Sequence, residues 1–275
     1  MNKTPLAPTA ALVLRMGMPI YQAPLTKDYL SRVDMSSGDA MYKKFTTHIH
    51  LVNRKFFIRK LLLDLLAKSP VPFQWVVIAA GVDPMPLEIL SIVPEKIAHV
   101  FELDEAFMDE KKKLYKEVAP RLAGKISCIT TDITSPHFME ELMIKYAYDP
   151  VVPTFLQMEG ITYYITENVI QMILGEFTSP NKQNCLFADF LLPPSSLSEA
   201  GRRQSEQIFG TIRRDTGYAT TAPYTIDDFR RFLSNVGGRV TDHKTTYDLE
   251  ILRTGSHAET LTPQDGIIDI VLGKL

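Results

Sequence analysis

The chain has 275 residues, and its 30 lysines and arginines against 32 aspartates and glutamates give a formal net charge of −2. Hydrophobic residues make up 45% of the sequence and charged residues 23%, which are values of a globular protein and exclude a disordered chain or a fibre. Because the charges are balanced, the sequence offers no basic surface for nucleic acid or for an anionic membrane.

The sequence predicts a soluble protein of the cytoplasm. No apolar run approaches the length of a membrane span, and the first residues lack the charged and then apolar pattern of a secretion signal. The two cysteines, Cys128 and Cys185, stand in apolar, strand-like segments, which favours reduced core residues of an intracellular protein.

Residues 1–72 predict a helical N-terminal cap. Residues 9–18 favour a short helix that carries Arg15, and residues 54–67 have apolar side chains at helical spacing.

Two histidines of this cap, His48 and His50, raise the question of a metal site. They are two residues apart and so do not share a helix face, and no cysteine or third histidine is near them. We therefore predict no metal site.

The next segment predicts a βαβ unit. The apolar run 75–80 is typical of a buried parallel strand, and small residues from Gly81 let the chain turn into a short helix. A second strand at 98–101 leads to Glu102 and Asp104, and an acid at this place accepts hydrogen bonds from ribose in nucleoside sites. The turn has one glycine of the full G-x-G-x-x-G pattern, so an α/β core with a chance acid stays open as the alternative.

Alternation of helices and strands continues, so that residues 73–191 form the predicted core. Further strands are predicted at 125–130, 151–157 and 184–190, and helices at 105–120, 135–147 and 167–174. The three lysines at 111–113 are interpreted as a solvated face of the first of these helices.

Acidic residues stand at the ends of three successive strands. Asp132 and Glu159 follow the third and fourth strands as Glu102 and Asp104 follow the second. In an open α/β sheet, ligands lie across these carboxyl ends, and such a row suits a ligand with ribose, adenine and an amino group. The alternative for each acid is a structural role as the N-cap of the helix that follows its strand.

The last part of the chain predicts a lid and the end of the sheet. Residues 192–224 contain prolines, serines and a polar helix, which is typical of an inserted lid, and residues 225–275 add a helix and two strands at 239–243 and 266–273. Four basic residues of the lid are either holders of an acidic acceptor or solvated helix charges: Arg202, Arg203, Arg213 and Arg214. We predict one domain of residues 1–275.

Four segments of the sequence resemble, in the same order, motifs of the leucine carboxyl methyltransferase family, which uses S-adenosylmethionine (SAM). Arg54, before the first strand of the core, also has a counterpart in that family. VVIAAGVD at 76–83 stands where the family has V-N-L-G-A-G-L-D, and FELDEAFMDEKK at 101–112 where it has Y-E-V-D, a gap and a lysine. Thr131-Asp132-Ile133 resembles its A-D-L, and PTFLQMEGITYYI at 153–165 its P-T-L-x-I-A-E-G-L-L-x-Y-L. The resemblance covers about residues 54–174 and implies the Rossmann-like, seven-stranded class I SAM-dependent methyltransferase fold.

The resemblance also implies the site residues. At the amino-acid end of SAM, Arg54 would pair with the carboxylate, Glu159 would approach the amino group or the sulfonium, and Arg15 would be a second basic residue. The residues implied for the nucleoside end comprise the turn, the ribose acids and the adenine contacts: Ala79, Ala80 and Gly81; Glu102 and Asp104; Asp132 and the amide of Ile133.

The implied reaction is methyl transfer to an oxygen, often a carboxylate, of a small-molecule substrate. The sequence departs from the family at Ala79, at Pro84-Met85 and at Thr162-Tyr163. Ala79 still fits a tight turn, but the other two changes keep a second reaction open, in which the amine of SAM attacks its own γ-carbon to give azetidine-2-carboxylate and methylthioadenosine. Tyr163 or Tyr164 would then stabilise the cation, and Glu159 would take the amine proton. A SAM-binding protein without catalysis and a nicotinamide dehydrogenase are the remaining alternatives, the latter disfavoured by the incomplete glycine pattern.

Overall fold

A computed structural model describes residues 3–44, 49–180, 182–217 and 222–275. Its strands, in chain order, are Thr4–Pro5 (β1), Val33–Asp34 (β2), Phe73–Ile78 (β3), Ile97–Asp104 (β4), Ile126–Thr130 (β5), Thr154–Met158 (β6), Cys185–Leu191 (β7), Arg239–Lys244 (β8) and Ile268–Lys274 (β9). Its α-helices are Pro8–Gly17 (α1), Pro24–Arg32 (α2), Asp39–Lys44 (α3), Ile49–Lys68 (α4), Met85–Leu90 (α5), Met108–Val118 (α6), Phe138–Tyr146 (α7), Glu167–Glu176 (α8), Glu199–Thr216 (α9), Ile226–Asn235 (α10) and Thr246–Thr254 (α11).

Seven of these strands form one sheet, in the order β5-β4-β3-β6-β7-β9-β8. The pairs from β5 to β7 are parallel, and β9 runs antiparallel to both of its neighbours. The predicted α/β class with a seven-stranded sheet is therefore confirmed. From β3 the chain goes to β4 on one side and later to β6 on the other, and ligands of such sheets bind outside the carboxyl ends at this reversal.

The central strand β3 is buried on both faces. All six of its residues are buried. Trp75 and Val77 belong to one hydrophobic cluster, while Val76 and Ile78 belong to the cluster on the opposite side of the sheet. Because side chains alternate along a strand, burial of both faces requires the continuous apolar run that predicted this strand.

Helix α4 begins at Ile49, five residues before the predicted start at residue 54. The apolar pattern missed residues 49–53 because the buried side chains there include the polar His50 and Asn53, and the buried Arg54 and Lys55 follow them. This buried face is directed at the end of β3, so that charged side chains reach the interior.

Strand β4 is longer than predicted and ends at Asp104, so that Glu102 and Asp104 lie within the strand rather than after it. Glu102 pairs in register with Val77 of β3, and Leu103 with Ile78. Because they are two residues apart, Glu102 and Asp104 point to the same face of the sheet.

The predicted lid contains the polar helix α9, whose first turn is capped by Ser198 through a hydrogen bond from the Gly201 amide at 3.1 Å. Residues 218–221 of the predicted lid lie outside the described residues. Across the ranges that the structure describes, no helix is both long enough and apolar enough to span a membrane.

Candidate functional site

A cavity of about 620 Å³ lies at the carboxyl ends of β3, β4 and β6. Its walls come from the residues that follow these strands, from α1 and α4, and from α9. Small-molecule sites in proteins have volumes of about 300–1,000 Å³, so the cavity has the size of a ligand site.

The turn after β3 brings backbone to the cavity wall. Ala79 has φ 55° and Gly81 has φ 49°, both in the left-handed region. The Gly81 amide donates a hydrogen bond to Asp104 Oδ2 at 2.8 Å, and the Ala106 amide donates one to Asp104 Oδ1 at 3.2 Å. Asp104 therefore holds the turn in place, while Ala79, Ala80, Gly81 and Asp104 all line the cavity.

Arg54 lies between two buried carboxylates. Its Nε donates to Glu159 Oε1 at 2.9 Å, and its terminal nitrogen donates to Asp189 Oδ2 at 2.5 Å. Burial alone would lower the pKa of Arg54, but the attraction of Asp189 and Glu159 raises it well above its usual value. Arg54 is a fixed cation, and both it and Glu159 line the cavity.

A second cation, Lys55, extends this cluster. Its ammonium contacts Asp83 and lies 2.7 Å from Glu159 Oε1, and the hydroxyl of Tyr21 donates to the other oxygen of Asp83. Burial opposes the charge of Asp83, but Lys55 and these hydrogen bonds hold the pKa of that carboxyl below its usual value.

The sequence analysis missed Lys55, Asp83 and Asp189 as members of this charged cluster. Asp83 is the last residue of the VVIAAGVD motif, and Asp189 is an acid inside a strand whose residues are all buried. An acid in such a strand requires a partner, which was the available signal.

Glu102 was predicted to bind the cofactor, and the structure places it elsewhere. Its carboxylate is fully buried and lies 2.6 Å from the ammonium of Lys111 on α6, and neither residue lines the cavity. The interpretation of Lys111 as part of a solvated face was therefore wrong. Burial raises the pKa of Glu102, although Lys111 opposes the shift.

Asp132 and Arg15 also lie outside the cavity wall. The exposed carboxylate of Asp132 accepts hydrogen bonds from the amide and hydroxyl of Thr134, at 2.8 and 2.6 Å, and so caps a turn. Its neighbour Ile133 does line the cavity. Arg15 pairs with Asp39 and lies over the ring of Tyr42.

Two tyrosines cover the end of the cavity near Arg54. The ring centroids of Tyr163 and Tyr164 are 4.8 Å apart, and Tyr163 meets Phe209 of α9 edge-on at 5.4 Å. Burial raises the pKa of Tyr163, and it raises that of Tyr164 to about 12. Both phenols are therefore uncharged at neutral pH.

His50 lies one helical turn before Arg54 and also lines the cavity. Its ring nitrogens lie 3.1 Å from the Thr246 hydroxyl and 2.9 Å from the Gln204 side-chain oxygen. Burial lowers its pKa to about 4, so the ring is neutral at pH 7. His48, the other histidine considered above for a metal site, lies outside the described residues. Within the described residues, no three acidic, histidine or cysteine side chains are grouped so that they could bind a metal ion.

Solved structures with the same fold cover almost the whole chain. A DUF574 family protein of Streptomyces avermitilis is 12% identical, with a TM-score of 0.66 over 98% of this chain and 97% of that one. A candidate methyltransferase of Thermobifida fusca is 14% identical, with a TM-score of 0.65 over 98% of this chain and 95% of that one. These likenesses support the predicted class I methyltransferase fold.

Comparison with curated proteins gives no match. The family model of leucine carboxyl methyltransferases matches residues 18–178, which include the turn after β3, Asp104 and Glu159. The match spans more than half of the chain. The chain belongs to the leucine carboxyl methyltransferase family, whose members are SAM-dependent methyltransferases.

Proposed function

We propose that the chain transfers the methyl group of SAM to an oxygen atom of a small molecule. The observation that carries the proposal is a single cavity that joins two kinds of wall. The strand-end wall has the turn and acids suited to SAM, and the wall from α1 and α9 has apolar side chains that would face an acceptor.

The charges of the described wall residues fit a cationic ligand. Four carboxylates line the cavity against two cations, Arg54 and Lys55: those of Asp83, Asp104, Glu105 and Glu159. SAM carries an ammonium, a sulfonium and one carboxylate, and so has a net positive charge. Opposite charge of this kind favours both binding and the rate of association.

Individual residues have roles within this proposal. Asp104 would bind the ribose hydroxyls with lone pairs that the Gly81 and Ala106 amides leave over. Arg54 has five N–H donors, and those not used by Glu159 and Asp189 would meet the carboxylate of SAM. The left-handed turn at Ala79 and Gly81 would let the backbone approach the nucleoside.

The sulfonium of SAM supplies an electrophilic methyl group, and no nucleophilic side chain is needed. The contribution of the protein is to hold an acceptor oxygen in line, at about 3–3.5 Å from the methyl carbon, and to exclude water. Tyr163, Tyr164 and Phe209 would close the cavity at this point.

One observation favours a second candidate, the cyclisation of SAM. Two neutral aromatic rings lie beside a cluster with more carboxylates than cations, and such rings stabilise a sulfonium through their π-faces. In this reaction a nitrogen–carbon bond forms within the substrate, and the bond from the γ-carbon to sulfur breaks. Methylthioadenosine leaves, and a carboxylate such as Glu159 takes the amine proton.

The experiment that separates the two is incubation of the purified protein with SAM alone, followed by mass spectrometry of the products. Methyl transfer predicts no turnover until an acceptor is added, after which S-adenosylhomocysteine forms. Methylthioadenosine together with a cyclic amino acid would contradict methyl transfer and establish cyclisation. The Asp104→Ala variant is the control, because either reaction should slow in it.

A further inference from the structure

The wall of the cavity opposite the strand ends is apolar. Helix α1 contributes Leu12, Val13 and Met16, and α9 contributes Ile208, Phe209 and Ile212. The two helices meet through these side chains, since Ile208 and Ile212 pack against the cluster that contains Leu12 and Met16. A molecule that lies against this wall would contact hydrocarbon from both helices.

The described part of this wall offers no uncommitted cation. Arg54 is engaged by Glu159 and Asp189, and its remaining donors are those assigned above to the carboxylate of SAM. Lys55 is engaged by Asp83 and Glu159. The third basic side chain, His50, is neutral, because burial lowers its pKa to about 4.

The arginines of α9 do not supply one either. Arg202 donates to the Leu197 carbonyl at 2.9 Å, Arg203 pairs with Glu199 at 2.8 Å, and Arg214 donates to the Thr211 hydroxyl at 3.1 Å. These three and Arg213 lie outside the cavity wall as far as the structure describes it. The alternative that they hold an acidic acceptor is therefore not supported.

An anionic acceptor would meet two costs in this position. Its carboxylate would lose water without gaining a cation from the described wall, since the sulfonium is the charge that it would face, and this loss is expensive in an apolar site. It would also lie in the field of the carboxylates that line the cavity, which repels a negative charge. An uncharged molecule avoids both costs and gains from burying its apolar surface.

We propose that the acceptor is an uncharged, largely apolar molecule that is methylated on a hydroxyl group and lies in the cavity against the wall formed by α1 and α9; this rests on the methyl transfer proposed above. The hydroxyl oxygen forms the new bond to the methyl carbon as the carbon–sulfur bond breaks. The electron pair of the broken bond stays on sulfur, so neutral S-adenosylhomocysteine is released and the hydroxyl proton passes to water.

The test compares 2-naphthol with 2-naphthoate, two probes of similar size that differ in charge. Each is titrated calorimetrically into the protein saturated with S-adenosylhomocysteine at pH 7. We expect 2-naphthol to bind at least about ten-fold more tightly. Equal or tighter binding of 2-naphthoate, or binding of neither probe, would overturn the proposal.

A charge placed in the wall should reverse this preference. Ile208→Lys introduces a cation between the helices and should favour 2-naphthoate. Gln207→Lys places the same charge on the preceding, exposed residue of α9, outside the described wall, and should leave the preference unchanged. An unchanged preference in Ile208→Lys would count against the location.

Failure of this proposal can be told from failure of the proposed function. Titration of S-adenosylhomocysteine alone and the products from SAM alone test methyl transfer. The two naphthalene probes test only the charge of the acceptor wall.

Discussion

Two buried ion pairs lie on the central strands, and only one of them faces the cavity. Glu102 of β4 and Lys111 are 2.6 Å apart, and Glu159, just after β6, lies 2.9 Å from Arg54. All four side chains are almost completely buried. Yet the Glu159 pair lines the cavity, and the Glu102 pair does not.

Depth along the strand accounts for the difference. Glu102 and Asp104 point to the same face, but Glu102 lies about 6.6 Å farther from the strand end. Helix α6 covers that depth, and Lys111 closes it by also donating to the Gly81 carbonyl at 2.9 Å. Asp104 and Glu159 lie beyond α6 and line the cavity, although Arg54 and Lys55 of α4 contact Glu159. An acid at a strand end therefore faces the ligand when it lies beyond the helix that packs over the strand.

The largest effect is expected at Arg54. Arg54→Met leaves Asp189 and Glu159 without their shared guanidinium, and breaking a buried ion pair from one side costs about 3–5 kcal/mol. Urea unfolding should show this loss, and SAM affinity should fall as well. Arg203→Met, which removes an exposed arginine, is the control and should unfold close to the wild type. Wild-type stability of Arg54→Met would show that the cluster is not coupled as the distances indicate.

A loss of about 3 kcal/mol is expected for Lys111→Met, since Glu102 then lacks a cation. The loss should depend on pH. The pKa of buried Glu102 is already raised and should rise further, so below the pKa of the unfolded carboxyl the group is protonated in both states. Stability is then lost as pH rises from the unfolded pKa toward the raised folded pKa, and the free energy of unfolding should fall more steeply than in the wild type above about pH 5.

The double variant Lys111→Met/Glu102→Leu should recover most of the loss, because no buried charge remains. Urea unfolding at several pH values measures both. A pH-independent loss in the single variant would contradict the assignment of Glu102 as the cause.

A binding effect of about 1–3 kcal/mol is expected for SAM in Asp104→Ala, from the lost ribose hydrogen bonds. Glu102→Gln is the matched comparison on the same strand face and should leave SAM affinity near that of the wild type. Isothermal titration of SAM into the three proteins tests this contrast. Equal affinities for Asp104→Ala and the wild type would remove Asp104 from the site.

The smallest effect is expected at Ala79, a non-glycine residue with φ 55°. The left-handed region costs an L-residue roughly 1–2 kcal/mol, while glycine adopts it freely. Because glycine also gives the unfolded chain more freedom, Ala79→Gly should stabilise the protein by about 1 kcal/mol or less. Thermal unfolding measures this, and a clear loss of stability would contradict the strain.

The sequence predicted elements whose causes are local. The run of β3 is apolar because both faces are covered, and the helix predicted after residue 225 begins at Ile226. The sequence analysis identified the turn after β3 and Asp104 because both lie in segments that resemble the family. The structure joins them through the hydrogen bond from the Gly81 amide to Asp104.

What the sequence missed depends on distant partners. Asp189 is tolerated in its buried strand by Arg54, 135 residues earlier. Lys111 looks like a surface charge until Glu102 is placed opposite it. Local patterns contain no information about such pairs, so Lys111 was wrongly interpreted as solvated and its pairing with Glu102 was not predicted.

The most direct test of the account is a crystal structure with S-adenosylhomocysteine. We predict the ribose at Asp104, the adenine beside Ile133 and the amino-acid end toward Arg54 and Glu159. A ligand bound away from the carboxyl ends of β3, β4 and β6 would contradict the account.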